Sequence, residues 1–279
     1  MKSLTKRVLT SVIALPILFF SAFFLPEYNH PLLVLIILVA IAFGTQEMSA
    51  IVKKKGPISS VAYFSPLIPV IAYAERMALG EEIFVFFFYI MLAAIAFSLE
   101  VFRGSANDFA ESIDTLSRTL LVMTYPALIS IFFLNILFLN NSSAHIALYF
   151  ALVFGEDTFA YFSGMLFGKN NRGIVKVSPK KSIAGFVGGI LIPMVFGFLA
   201  SLLFPSSFSF SPVLGAVLGA VTAAFGALGD LVESTFKRSA DVKDSGFIIP
   251  GRGGILDSLD SLLFAAVPFS ILVTIFEML

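Results

Sequence analysis

Apolar residues run along this chain in long stretches broken only by short polar intervals. No charged side chain falls between Leu32 and Phe43, and none between Ile83 and Leu99. Stretches of this kind leave a helix no polar face to turn toward water, and they are long enough to cross about 30 Å of hydrocarbon. Segments at 8–25, 31–51, 58–75, 83–102, 117–139, 144–167, 184–204, 211–232 and 255–277 are predicted to do so. The pattern therefore predicts an all-α, polytopic integral membrane protein with about nine transmembrane helices, because in lipid every backbone amide must be paired within its own segment or a closed barrel.

Composition sharpens this picture. Of the 279 residues, 58% are hydrophobic and 13% charged, and the mean hydropathy is +0.97, well beyond a soluble domain. Cysteine is absent, which excludes disulfides, thiol nucleophiles and thiolate metal sites and leaves oxygen ligands for any metal. The formal net charge is zero, so attraction for an anionic partner must come from uneven placement of charge. With a cytoplasmic N-terminus, seventeen of the eighteen basic residues fall in inside loops or at inner helix ends, and only Arg76 falls outside. That asymmetry predicts the N-terminus inside and the C-terminus outside. The first segment follows Lys2, Lys6 and Arg7 as a secretory signal would, but it leaves through Phe23, Phe24, Leu25 and Pro26 without a small-residue cleavage site. It is kept as the first helix.

Outside connections are short, and the polar segments at 103–116, 168–183 and 233–254 all face the cytoplasm. Residues 1–140, with five helices, are expected to form a scaffold with room for partner contacts. Residues 141–279, with four, are expected to carry the chemistry. Glu47 and Glu100 lie near inner helix ends and read as interfacial, snorkelling carboxylates. His30 and His145 read as interfacial at outer ends. Gly215 and Gly219, four apart, mark a close-packing face on the eighth segment.

Candidate chemistry concentrates in residues 234–260, STFKRSADVKDSGFIIPGRGGILDSLD. Asp257 and Asp260 are three apart, so they share a helix face and can share a cation. Asp230, about twenty residues into the eighth segment, reaches the same cytoplasmic depth at about 1.5 Å per residue. A charge there costs up to ~3 kcal/mol, which a cation offsets. The competing reading has these carboxylates capping the last helix and pairing with Lys237, Arg238 or Arg252. The glycines around Arg252 place unpaired N–H groups and a positive dipole end beside Lys243, an arrangement suited to phosphate. Further upstream, Glu156 and Asp157 lie inside the sixth segment, followed by Lys176, Ser178, Lys180 and Lys181. An acid at that depth lines a polar cavity or joins an internal network, and the basic loop at its mouth favours the cavity.

These residues resemble the phosphatidate cytidylyltransferases, or CDP-diacylglycerol synthases. The resemblance rests on Ser234, Lys237, Arg238, Lys243, Asp244, Pro250, Gly251, Gly253, Gly254, Asp257 and Asp260. An upstream block of Asp157, Ala160, Tyr161, Gly164, Phe167, Gly168, Ser178, Pro179, Lys180, Lys181, Gly185, Gly188 and Gly189 is similar as well. The chain departs from the family pattern at Arg252 (His), Ser258 (Arg), Glu156 (Asn), Ser182 (Thr) and Ala184 (Glu). Arg252 keeps a phosphate donor, whereas Ser258 gives up a cation.

The resemblance implies transfer of a cytidylyl group from CTP to phosphatidic acid with Mg²⁺, giving CDP-diacylglycerol and pyrophosphate. A second cation is left open. Asp230, Asp257 and Asp260 would hold the metal, with Lys237 and Lys243 acting beside them. Asp157, Lys176, Ser178, Lys180, Lys181, Arg238, Arg252, Gly253 and Gly254 would contact substrate. The attacking phosphate oxygen is already anionic, so catalysis would be positioning and electrostatics without a protein base. Expected partners are CTP, phosphatidic acid and membrane lipid, with a homodimer left open and no nucleic acid. The expected location is the cytoplasmic (inner) membrane with the site facing the cytoplasm.

The rival reading is a cation-coupled transporter using Glu156, Asp157 and Asp230, but it requires acids in the outer halves of the helices, where almost none occur. A CDP-alcohol phosphotransferase would need an Asp-Gly-x-x-Ala-Arg motif, which is absent. Because the chain has no cysteine, its orientation is directly testable. Single cysteines at Ser142 or Ser206 should react with an impermeant thiol reagent from outside, and one at Ser239 only after the membrane is opened. The reverse pattern would overturn the predicted orientation.

Overall fold

The computed structural model describes residues 12–13, 16–251 and 253–278. Lys2, Lys6, Arg7 and Arg252 lie outside the described residues, as does part of the first expected segment. Residues 16–23 form α1. The helices that follow are α2 (Pro31–Lys53), α3 (Leu67–Leu79), α4 (Phe84–Gly104), α5 (Ser112–Val122), α6 (Ser130–Ile136), α7 (Ser142–Phe167), α8 (Ile183–Leu203), α9 (Pro212–Ser239) and α10 (Leu256–Met278). The described residues contain no β-strand, only isolated bridges.

Helix ends follow local chemistry. Pro31 and Pro212 open α2 and α9, where a missing N–H costs nothing. Gly80 closes α3 in the left-handed region, with φ 75°. Ser182 caps α8 by accepting from the Gly185 N–H at 3.1 Å. Between α5 and α6 the wide turn Met123–Leu128 contains Pro126, whose missing amide breaks the helical ladder and leaves Tyr125 non-helical.

Six helices are long and apolar enough to cross a membrane: α2, α4, the combined Ser112–Ile136 stretch, α8, α9 and α10. The third expected span is different. It divides into a 3₁₀ turn, Ser60–Phe64, and the 13-residue α3, which at ~1.5 Å per residue is only about 20 Å long. Prolines at 66 and 69 interrupt a stretch that hydropathy alone reads as continuous. Helix α7 has 26 residues, but Glu156 and Asp157 in its second half keep it below the same apolarity.

The chain forms two compact units, each assembled from separated stretches of sequence. The first takes Val34–Leu134 and Phe236–Leu259; the second takes α1 onward to Leu33, Asn135–Thr235 and the chain from Asp260. In the first unit, Glu75 is buried and accepts from the N–H groups of Ile83, Phe84 and Val85, capping α4. Glu100 is not a snorkelling carboxylate. It is 5% exposed and held by both arms of Arg103 at 2.7 Å, while Arg103 also reaches Thr115.

In the second unit, Tyr149, Phe150 and Phe269 fill a fully buried core, and Tyr149 donates its hydroxyl hydrogen to the Leu262 carbonyl. His30 and His145 belong to the protein interior instead of the membrane interface. Both are fully buried, His30 against Ser142 and His145 among Phe208, Phe210 and Phe269 with Glu277 at 3.5 Å. The expected close-packing face is present. Added Cβ atoms at Gly197, Gly215 and Gly219 would strike backbone across the α8–α9 contact. Gly219→Leu should therefore lower stability by about 3 kcal/mol through overpacking, seen as a reduced melting temperature in detergent. Val217→Leu on the exposed side of α9 should leave it unchanged.

Candidate active site

The first unit builds a carboxylate-anchored loop from the end of α9 to the first turn of α10. Ile249 and Gly253 exchange backbone hydrogen bonds of 2.8 and 3.0 Å. This tight closure runs through Gly251 at φ 83° and Gly253 at φ 124°, conformations that a side chain would strain. Asp257 fastens the loop from inside. Its Oδ1 accepts from Lys237 Nζ at 2.5 Å. Its Oδ2 accepts from Gly254 N at 2.7 Å, Ser245 N at 2.9 Å and Ser245 Oγ at 3.0 Å. The pair is well shielded, with side-chain exposures of 10% for Lys237 and 9% for Asp257.

Glu47 enters the same loop from α2. It accepts from Ile255 N at 3.1 Å, Leu256 N at 2.8 Å and Ser245 Oγ at 2.9 Å. It is 7% exposed, so the snorkelling reading gives way to a buried helix cap. The expected supply of free amides around Gly253 and Gly254 is corrected by the same contacts. Gly253 N bonds Ile249, Gly254 N bonds Asp257, and the next two N–H groups bond Glu47. Carboxylates already occupy the place at the helix terminus where a phosphate would sit.

The second unit contains a cavity of about 580 Å³ lined by residues including Glu156, Asp157, Tyr161, Arg172, Lys180 and Lys181. The 168–182 loop at its edge is closed by a bridge between Arg172 and Ser182, and Ser178 accepts from the Lys181 N–H within that loop. Lys181 pairs with Asp230 at 2.6 Å, the two side chains being 26% and 33% exposed, and its ammonium lies 5.4 Å from the centre of the Phe186 ring. Glu156 is 3% exposed and feels the charges of Asp157, Lys181 and Asp230. Glycine brings α9 against α10 here. A Cβ at Gly229 would collide with the Asp260 carbonyl, and at this approach Asp260, 8% exposed, feels the charges of Glu233, Asp230 and Asp157.

The expected site residues thus fall into two groups. Lys237, Arg238, Lys243, Gly253, Gly254 and Asp257 belong to the first unit, with Arg238 and Lys243 exposed. Asp157, Lys176, Ser178, Lys180, Lys181, Asp230 and Asp260 belong to the second, with Lys176 exposed and Ser178 half-buried. Among the described residues no three acidic or histidine side chains form a ready-made metal cluster. The donors present are carboxylate oxygens, the chemistry Mg²⁺ takes, and Mg²⁺ is commonly held by one or two carboxylates together with substrate phosphates. Asp230 and Asp260 fit that description. Asp257 fits through Oδ1 alone, because Oδ2 is already saturated. Sequence reasoning missed Ser245, which carries no motif signal, and discounted Glu47.

The cytidylyltransferase family profile matches residues 5–276, and the chain belongs to that family. Proteins named phosphatidate cytidylyltransferase are similar to it. That of Haemophilus influenzae is 45% identical over 127 residues, covering 43% of this chain and 42% of its own. That of Staphylococcus haemolyticus is 43% identical over 126 residues, covering 45% and 47%. That of Staphylococcus saprophyticus is 40% identical over 139 residues, covering 50% and 52%. The chain thus spans about half the length of the curated relatives it matches.

The two carboxylate–lysine pairs should respond differently to mutation. Asp257→Ala takes the acceptor from four donors, the nearly buried Lys237 Nζ, Gly254 N, Ser245 N and Ser245 Oγ, and should cost about 3–5 kcal/mol of stability. Asp230→Ala removes a pair open to solvent, worth about 0–1 kcal/mol. Denaturant titration of the two variants in detergent should separate them, and equal losses would contradict the assignment.

Proposed function

We propose that the protein transfers the cytidylyl group of CTP to phosphatidic acid, releasing pyrophosphate, at the cytoplasmic face of the membrane. The observation that carries this reading is the second-unit cavity, where Arg172, Lys180 and Lys181 stand with Asp157 and next to the Asp230 carboxylate, in a chain of the cytidylyltransferase family. A cavity with cations and carboxylates together suits an anionic nucleotide whose charge must be balanced while one phosphate is attacked. A transporter finds no comparable support.

Lys180, Lys181 and Arg172 bind phosphate oxygens, with Lys181 exchanging Asp230 for one of them. Asp230 and Asp260, both of the second unit, are the proposed Mg²⁺ ligands. The ion, when bound, supplies positive charge that stabilises the phosphoryl oxygens and the departing pyrophosphate. Lys237 fixes the Asp257 carboxylate, while the exposed Lys243 and Arg238 offer cations to the lipid phosphate. The substrate phosphate attacks through its own anionic oxygen, so no side chain needs to remove a proton. The charge asymmetry supports placing the 168–182 and 240–255 loops on the cytoplasmic side, where CTP is found.

Purified protein should release pyrophosphate only when CTP, phosphatidic acid and Mg²⁺ are all present. Lys181→Met should lower kcat/KM for CTP about ten- to a hundredfold, the worth of one charge-assisted contact. Absence of turnover with every divalent ion tried would refute the reading.

A further inference from the structure

Glu47 lies on α2, far in sequence from the signature region, yet its carboxylate is the meeting point of three donors. Ser245 Oγ, Ile255 N and Leu256 N converge on it at 2.9, 3.1 and 2.8 Å. Two glycines make room for it. A Cβ at Gly246 would strike Oε1, and one at Gly254 would strike Oε2. The carboxylate is thus enclosed on both sides by positions that carry no side chain. Ser245 ties this anchor to the next one, because its hydroxyl lies within 3.0 Å of Asp257 Oδ2 while its oxygen accepts from Asp257 N at 3.2 Å. A serine has one hydroxyl hydrogen, so the two carboxylates share it.

We propose that Glu47 is a positioning residue for the signature loop: it clamps the amides of residues 255 and 256 and, through Ser245, sets the orientation of Asp257. The cost of burying a carboxylate is met here by two helix N-terminal amides and a hydroxyl, and the helix dipole adds to the attraction. Asp257 gains from this a fixed direction. Its Oδ2 is consumed by the loop, and its Oδ1 is held by the Lys237 ammonium. Glu47 touches no substrate and acts only through the groups it holds. The proposal rests on the cytidylyltransferase reading for its kinetic consequence, but not for its structural one.

Full-length protein in detergent is compared as wild type, E47A, E47Q and E100A by hydrogen exchange with mass spectrometry and by steady-state kinetics in CTP. E47A should speed exchange in residues 245–256 at least about tenfold, leave α4 unchanged, and lower kcat about ten- to a hundredfold with a smaller change in KM. E47Q keeps one acceptor oxygen and should fall between wild type and E47A. E100A, which breaks an ion pair of the same unit elsewhere, should leave exchange at 245–256 as in wild type. Unchanged exchange in that stretch with unchanged kcat overturns the proposal. So does a fall in kcat matched by faster exchange throughout the unit, which would mark Glu47 as a general packing residue. If E47A does not fold, the same criteria are read from E47Q. A wild type that makes no pyrophosphate removes the proposed reaction, and exchange alone then decides the role of Glu47.

Discussion

A carboxylate within an apolar helical protein must find donors or a cation, since an unpaired charge in such surroundings is too costly to keep. The first unit meets this demand at several places by the same two means. Glu75 and Glu47 each turn a carboxylate onto exposed amides at the start of another helix. Glu100 and Asp257 each take a basic partner, Arg103 and Lys237. Helix starts leave N–H groups unpaired by geometry, so a buried acid and a helix terminus satisfy each other. The signature loop depends on this exchange twice over, with Asp257 on one side and Glu47 on the other.

That arrangement redistributes the roles a motif suggests. Glycine-rich turns before a helix commonly cradle phosphate with backbone amides. Here those amides are taken by carboxylates, and the glycines serve to admit the carboxylates and to permit φ 83° and 124°. The proposed phosphate recognition falls instead to side chains, and the second unit gathers Arg172, Lys180 and Lys181 around its cavity. The Lys181–Asp230 pair is open enough to solvent to be exchanged for a ligand, whereas the Lys237–Asp257 pair is shielded and held. One pair is suited to binding and the other to holding a shape.

Much of the fold was legible because lipid imposes a simple rule on helix length and polarity. The expected segments at 83–102 and 184–204 differ from Phe84–Gly104 and Ile183–Leu203 by one or two residues. Helix α9 runs seven residues past its expected end, since Glu233 to Ser239, polar except for Phe236, continue the same hydrogen-bond ladder. Hydropathy could not see that prolines shorten α3. Family membership was readable from the residues around Asp257 and Lys181, whose spacing is fixed by local chemistry. Glu47 was not, because its partners lie 198 to 209 residues away and one acid at a helix end looks like any other.

The account rests on one claim about chemistry, that the bond broken joins the α- and β-phosphates of CTP and that a lipid phosphate receives the cytidylyl group. Incubation of the purified protein with Mg²⁺, phosphatidic acid and CTP carrying ³²P at the α-position tests this directly. The account predicts that the label moves into the organic-extractable lipid in step with CTP consumption. Label that stays in the aqueous phase while CTP is consumed would contradict it.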